Sequence, residues 1–308
     1  MPPNRPTSQR QRRRLRARAT GLTHFEDAFR WVADNDKDRI NVLVEGDSWF
    51  AYPKDWLIHG ESSNVVTQIF YELAPNKLLN GLCLASNGDT AKEMMTGDQL
   101  KKTRKLVRKH GKRLDLCLFS AGGNDVVGPD DLRPLLHTYQ PGMNAADCIN
   151  EVTFGKKLDD IEKYYKQLIQ IRNTHAKNMR IVTHTYDFLQ PNDRGAEFLW
   201  GVEVSGPWIK PTLVEKEIPE TKHGAVVKIL LQRFRARLEE LAANNEKFHV
   251  VNTQGTLRFG NQEDWLNEIH PTPTGFRKIA AKIYKEMRKH FSTLPVLPHR
   301  GGGPGSSV

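Results

Sequence analysis

The chain has 308 residues, 38% of them hydrophobic, and a formal net charge of +10. That is enough apolar material for one α/β domain with a real core, and no stretch approaches the ~20 apolar residues needed to cross a bilayer. The charge is uneven: residues 1–20 hold seven arginines (Arg5, Arg10, Arg12, Arg13, Arg14, Arg16, Arg18) and no acid, so the remainder carries 10 − 7 = +3.

Composition predicts a disordered basic arm over 1–20, a folded domain over 21–297 and a disordered Gly/Pro/Ser tail over 298–308. Arginine runs of this kind also suit nucleic acid or an anionic membrane as partners. No apolar run follows the basic residues, so no secretory leader is expected and a cytoplasmic location is. Cys83 and Cys117 sit inside apolar runs and read as small core residues. Three thiols cannot all pair within one chain.

In chain order, the first strand is expected at 40–45. A helix follows, with Val65, Ile69 and Leu73 on one stripe after Ser62-Ser63 as N-cap region. Strands follow at 79–85 and 114–120. Residues 155–172 place Leu158, Ile161, Tyr165 and Leu168 at helical spacing. A strand at 179–184 precedes a helix over 220–243, with Val227, Leu230, Phe234, Leu238 and Leu241 on one stripe. The last strand is expected at 247–251, and a helix carrying Phe276, Ile279, Ala280, Ile283 and Met287 closes the domain. Short apolar strands without alternation are those of a parallel sheet buried on both faces. Strands alternating with helices predict a three-layer α/β/α fold with a doubly wound, mostly parallel five-stranded sheet. Residues 126–154 and 186–219 are long and irregular, and are expected to wall a cleft at the strands' C-terminal edge.

Polar positions stand just after the apolar runs. Ser48 follows the first strand in Gly46-Asp47-Ser48-Trp49. Gly88 follows the second, and Gly122-Gly123-Asn124-Asp125 the third. His270 lies beyond the fifth, at the start of the last helix. A parallel sheet gathers all of these at one edge. A serine hydroxyl is a weak nucleophile until a base takes its proton, and a neutral imidazole can do so near neutral pH. Ser48 N–H, Gly88 N–H and the Asn124 amide are candidate donors for the oxyanion that follows.

These blocks resemble the SGNH (GDSL-type) hydrolase superfamily of serine esterases and lipases, over roughly residues 40–285. Gly46-Asp47-Ser48 is similar to its nucleophile block, with Trp49 where Leu is usual. Gly88, Gly122-Gly123-Asn124-Asp125 and His270-Pro271 are similar to the glycine, asparagine and histidine blocks. The resemblance implies a flavodoxin-like fold and an acyl-enzyme on Ser48, with His270 as base. It implies an oxyanion hole of Ser48, Gly88 and Asn124, and no cofactor or metal. One position departs. The family usually has Asp three residues before the histidine, and here that residue is Asn267. Asn267 is expected to orient the ring, as in Cys-His-Asn proteases, with Glu268 and Asp264 as alternatives or a Ser–His dyad.

Other residues have plainer readings. Asp47 and Asp125 are expected to pin their loops through backbone N–H groups rather than act as catalytic acids. Trp49, Phe50 and Tyr52 are as well explained by core packing as by an acyl pocket. His184, Tyr186 and Asp187 are read as structural before catalytic. The Gly123–Gly128 spacing mimics a phosphate loop, but Pro129 and Asp130 stand where Lys and Ser/Thr would be needed. His59, His110, His137 and His175 lack metal-ligand spacing. Phe198, Trp200 and Trp208 suit either a sugar face or an acyl chain. The expected function is hydrolysis of a carboxylic ester of a carbohydrate, lipid or small molecule. The alternatives are an acyltransferase using the same site, and a non-enzymatic protein binding an anionic polymer or membrane through the arm.

Overall fold

The computed structural model describes residues 8–52, 63–74, 77–198 and 202–297. Among these, the strands are β1 (Leu22–Thr23), β2 (Ile40–Gly46), β3 (Leu79–Cys83), β4 (Leu116–Ser120), β5 (Arg180–His184), β6 (Ala196–Phe198), β7 (Val202–Ser205) and β8 (Phe248–Val251). Six of them form one sheet in the order β1-β3-β2-β4-β5-β8, and every pair in it is parallel. Each expected strand is present, and the sheet is doubly wound.

The connections fix the layers. Passing from β2 to β3 moves one way across the sheet. Passing on to β4, β5 and β8 moves the other way. Right-handed crossovers therefore put the first helical segment on one face and the next three on the opposite face. The contacts agree. The helix Glu151–His175 packs with Gly97–His110 and Glu220–Ala243, while Pro273–His290 packs with the helical segment Val65–Leu73. The stripes face inward: Leu230, Phe234 and Leu238 on one side, and Phe276, Ile279 and Ile283 on the other, are buried. β2 and β4 are buried along their whole length, as expected of strands covered on both faces.

Three sequence expectations are corrected. First, the sheet has six strands rather than five. β1, only two residues long, adds to the β3 edge, and so short a strand carries no pattern of its own. β6 and β7 form a separate antiparallel hairpin within the irregular 186–219 segment. Second, the arm expected to be disordered over 1–20 is an α-helix from Gln9 to Thr20. Ser8 caps its start by accepting the Gln11 N–H, and Gly21 ends it at φ 74°. Its charge partners lie in the next segment: Arg10 pairs with Asp27 at 3.2 Å and Arg18 with Asp36 at 2.7 Å. Ala17 is buried with Ala28 and Val32 of the helix Glu26–Asn35. Arginine is a good helix former once its charge is met. Third, the N-cap before Val65 is Asn64, which accepts from Thr67 N–H in a capping box. Residues 1–7, 298–308 and His59 lie outside the described residues.

Candidate active site

β2 stops at Gly46 because the backbone there runs close to β4. A Cβ on Gly46 would lie 2.9 Å from both Phe50 Cδ2 and Ser120 Cβ. Asp47 N–H then donates to the Ser120 carbonyl at 3.0 Å. Asp47 Oδ1 accepts Trp49 N–H at 3.0 Å, capping the short helix Ser48–Ala51. Ser48 is thus the first residue of a helix held against two central strands. It sits beside the point where the strand order reverses, the ligand-binding place of open α/β sheets.

The histidine loop is tied to this turn across the molecule. Trp49 Nε1–H donates to the Ile269 carbonyl at 3.1 Å, so the tryptophan in the nucleophile block holds the residue next to His270. His270 Nε2 lies 2.8 Å from Ser48 Oγ. Its Nδ1 lies 3.2 Å from Asn267 Oδ1, which also accepts the backbone N–H groups of Ile269 at 3.1 Å and His270 at 2.8 Å. An oxygen in that place can only accept, so Nδ1 carries the ring proton and Nε2 presents its lone pair to Ser48. Burial pushes the His270 pKa down to about 3, so the resting ring is neutral. Tyr52 packs on it at a centroid distance of 4.2 Å, and Trp208 meets it edge-on at 5.7 Å.

The alternative partners of the ring are engaged elsewhere. Glu268 accepts backbone N–H groups from Asn192, Trp208, Ile209 and Lys210, pinning both ends of the hairpin-bearing segment. Asp264 accepts Arg258 N–H at 2.9 Å and pairs with Lys278.

Ser48, Gly88 and Asn124 follow β2, β3 and β4, which are neighbours in the sheet. Gly88 is exposed at φ 85°, with open space where a Cβ would point. A side chain would strain this backbone and fill that space. Asn124 Nδ2 donates to the Asp89 carbonyl at 2.9 Å, and Asp125 accepts Ala91 N–H at 2.7 Å. The asparagine loop is thereby locked to the glycine loop, and the second amide hydrogen of Asn124 is available to a ligand.

Beneath Ser48 lies a buried network. Tyr186 N–H donates to His184 Nδ1 at 3.2 Å, leaving Nε2 as the donor to Ser120 Oγ at 2.9 Å. Ser120 donates in turn to Asp47 Oδ1 at 2.9 Å, and Tyr186 O–H donates to Asp47 Oδ2. Burial pushes Asp47 up to about 7 and His184 down to about 3. His184, Tyr186 and Asp187 are fully enclosed, and Asp187 accepts from Phe188, Gly255 and Leu257 N–H. Trp49 and Phe50 are core residues stacked on His184. Sequence reading misses Ser120 altogether: its place opposite Gly46 follows only from the strand register.

Trp200 lies outside the described residues. His249, Glu286 and His290 offer ligand atoms within 4.8 Å of one another. They stand on β8 and the last turn of the helix Pro273–His290, about 25 Å along that helix from its His270 end, so they take no part in this site. Cys83, Cys117 and Cys148 are free and buried, and burial pushes the Cys83 thiol up to about 12. No described helix is long and apolar enough to cross a membrane.

No protein-family model matches the chain, and no curated protein does. Among solved structures it is similar to an extracellular lipase from Streptomyces rimosus, at 15% identity and TM-score 0.49, covering 80% of this chain and 99% of that one. A lipase from a goat rumen metagenome gives 14% and 0.49, covering 80% and 96%. A family 3 carbohydrate esterase from Clostridium thermocellum gives 14% and 0.42, covering 83% and 100%. At such identities and scores the likeness carries no activity across.

Proposed function

We propose that this chain is a serine ester hydrolase of the SGNH type. The observation that carries the reading is the line Ser48 Oγ, His270 Nε2, His270 Nδ1, Asn267 Oδ1, with contacts of 2.8 Å and 3.2 Å. In the reaction, Ser48 Oγ attacks the ester carbonyl while its proton passes to His270 Nε2. The carbonyl oxygen becomes an oxyanion, for which Ser48 N–H, Gly88 N–H and the free Asn124 amide hydrogen are the donors. As the tetrahedral intermediate collapses, the bond to the alcohol oxygen breaks. His270 returns its proton to that oxygen, leaving an acyl-Ser48. Water then repeats the sequence: His270 takes its proton, the acid departs and Ser48 regains its hydrogen. One water is consumed for each ester cleaved, and Ser48 and His270 return to their starting protonation.

Two features support these roles. The ring is neutral at rest, and it holds its proton on the nitrogen away from Ser48. Asn267 fixes that tautomer but supplies no negative charge to the transient imidazolium. The test is turnover of p-nitrophenyl esters, from acetate to long acyl chains, by wild type and Ser48→Ala. Activity lost in Ser48→Ala is expected, as is a drop of about 10²–10³ in kcat for Asn124→Ala, the loss typical of one oxyanion donor. Equal rates in wild type and Ser48→Ala would refute the reading.

A further inference from the structure

The arm helix has a second consequence, which rests on the hydrolase reading just given. It forms one wall of a cleft of about 750 Å³ at the C-terminal ends of β1 and β3. Arg12, Arg13 and Arg16 line it, one helical turn covering all three. Leu22, Tyr52 and Val66 supply apolar surface, and Asn87, the residue before Gly88, stands at its rim. Tyr52 is shared: it also packs on the His270 ring. The cleft therefore abuts the catalytic base and the glycine loop.

Its charge is one-sided. Among the described lining residues there are three arginines and no carboxylate. Arg10 and Arg18 of the same helix are satisfied by Asp27 and Asp36, and Arg13 lies over the Phe25 ring at 3.8 Å. Arg12 and Arg16 are exposed, and no described residue forms a salt bridge with either. Two guanidinium groups four residues apart, over an apolar floor, match an amphiphile with one compact anionic group. Phosphate fits best, because its several oxygens can accept from both forks at once.

We propose that the ester cleaved at Ser48 carries a phosphate group, bound by Arg12 and Arg16. The substrate class is then an acyl ester of a phosphate-bearing alcohol. Its aliphatic part lies on the apolar floor, and the arm helix is a specificity element rather than a polymer-binding tail.

The test compares monodecanoyl glycerol phosphate with monodecanoyl glycerol as substrates. An uncleavable ether, monodecyl glycerol phosphate, serves as a calorimetric ligand. Wild type is expected to favour the phosphate ester in kcat/KM. In Arg12→Gln/Arg16→Gln that preference falls at least tenfold, mainly through KM, with neutral-ester turnover within twofold. Ether affinity falls in parallel and is unchanged in Ser48→Ala. Lys105→Gln/Arg108→Gln, a charge-matched pair on the exposed face of another helix, leaves the preference intact. Equal turnover of the two esters, or a preference indifferent to Arg12 and Arg16, overturns the proposal and leaves the hydrolase reading standing. Ether binding that needs the arginines, with no Ser48-dependent turnover of any ester, overturns the hydrolase reading and with it the substrate form of this proposal. Displacement of the ether by equimolar inorganic phosphate assigns the cleft to free phosphate and overturns it likewise.

Discussion

An imidazole that takes the Ser48 proton becomes a cation, and the group behind it here is an amide. Asn267 Oδ1 is already shared among three N–H donors, so it orients the ring without offsetting its charge. Burial favours the neutral ring and lowers its pKa. Activity requires that neutral form, so the acid limb of the pH–rate profile is expected below the ordinary histidine range of about 6.5. Asn267→Asp places a carboxylate in the same contact. It stabilises the imidazolium, raises the pKa, and should move the acid limb up by about one pH unit or more. The pH dependence of kcat/KM for a soluble ester checks this. A limb unmoved in Asn267→Asp would mean that His270 is not the group titrating there. Ser48, Gly88, Asn124 and His270 are legible in the sequence because each follows an apolar run that becomes a parallel strand. Ser120 is not, because nothing local marks the residue that the register sets against Gly46.

Among the elements, the segment between β5 and the helix Glu220–Ala243 is held by a side chain far away in sequence. Glu268 is fully buried and takes its backbone donors from Asn192 and from Trp208 through Lys210. Trp208 in turn packs on His270. Replacing Glu268 by Gln puts an NH₂ where N–H groups converge, and leaves buried donors unpaired. The expected loss of stability is about 2–4 kcal/mol, with faster hydrogen exchange at Trp208, Ile209 and Lys210 and a raised KM. Exchange mass spectrometry on wild type and Glu268→Gln reads this directly. Unchanged protection there would show that the segment is held by other contacts. Sequence could place this segment at the cleft but could not assign Glu268 to it. A carboxylate two residues before His270 looks like a partner of its ring until the backbone donors around it are known. The arm reads as disordered for a related reason: its countercharges, Asp27 in the following helix and Asp36 at that helix's C-cap, lie outside the window that makes it look like a repelling run.

At the scale of the whole molecule, the interior holds carboxyl groups in the sheet and just beyond its strand ends. Glu45 lies inside β2, 2% exposed, bonded to Thr103 Oγ1 at 3.1 Å. Burial pushes its pKa up to about 7. Asp47 and Asp125 are raised by the same cause, to about 7 and about 6. A carboxyl group whose folded pKa exceeds its unfolded value binds its proton more tightly in the fold. Its stabilising effect is full below the unfolded value and fades as pH climbs through the folded one. The contribution of these three carboxyls is therefore lost between about pH 5 and about pH 8, while the buried neutral rings of His184 and His270 act in the opposite sense below the ordinary histidine range of about 6.5. Glu45→Gln keeps the shape and removes one ionisation. Its stability relative to wild type should rise over that interval by up to roughly 3 kcal/mol, read from urea midpoints at each pH. A constant difference between the two proteins would mean that Glu45 does not titrate in the fold. The positions of the five longer strands followed from their composition and spacing, whereas their order in the sheet is set by the register of the fold. The acids in and after them are visible in the sequence, but their enclosure depends on helices that cover both faces.

The central claim is that Ser48 becomes a nucleophile through His270. Reaction with a fluorophosphonate, followed by intact mass and peptide mapping, tests it most directly. One covalent adduct is predicted, located on Ser48, absent from Ser48→Ala and formed much more slowly by His270→Ala. No adduct, or an adduct on another serine that persists in Ser48→Ala, would contradict the account.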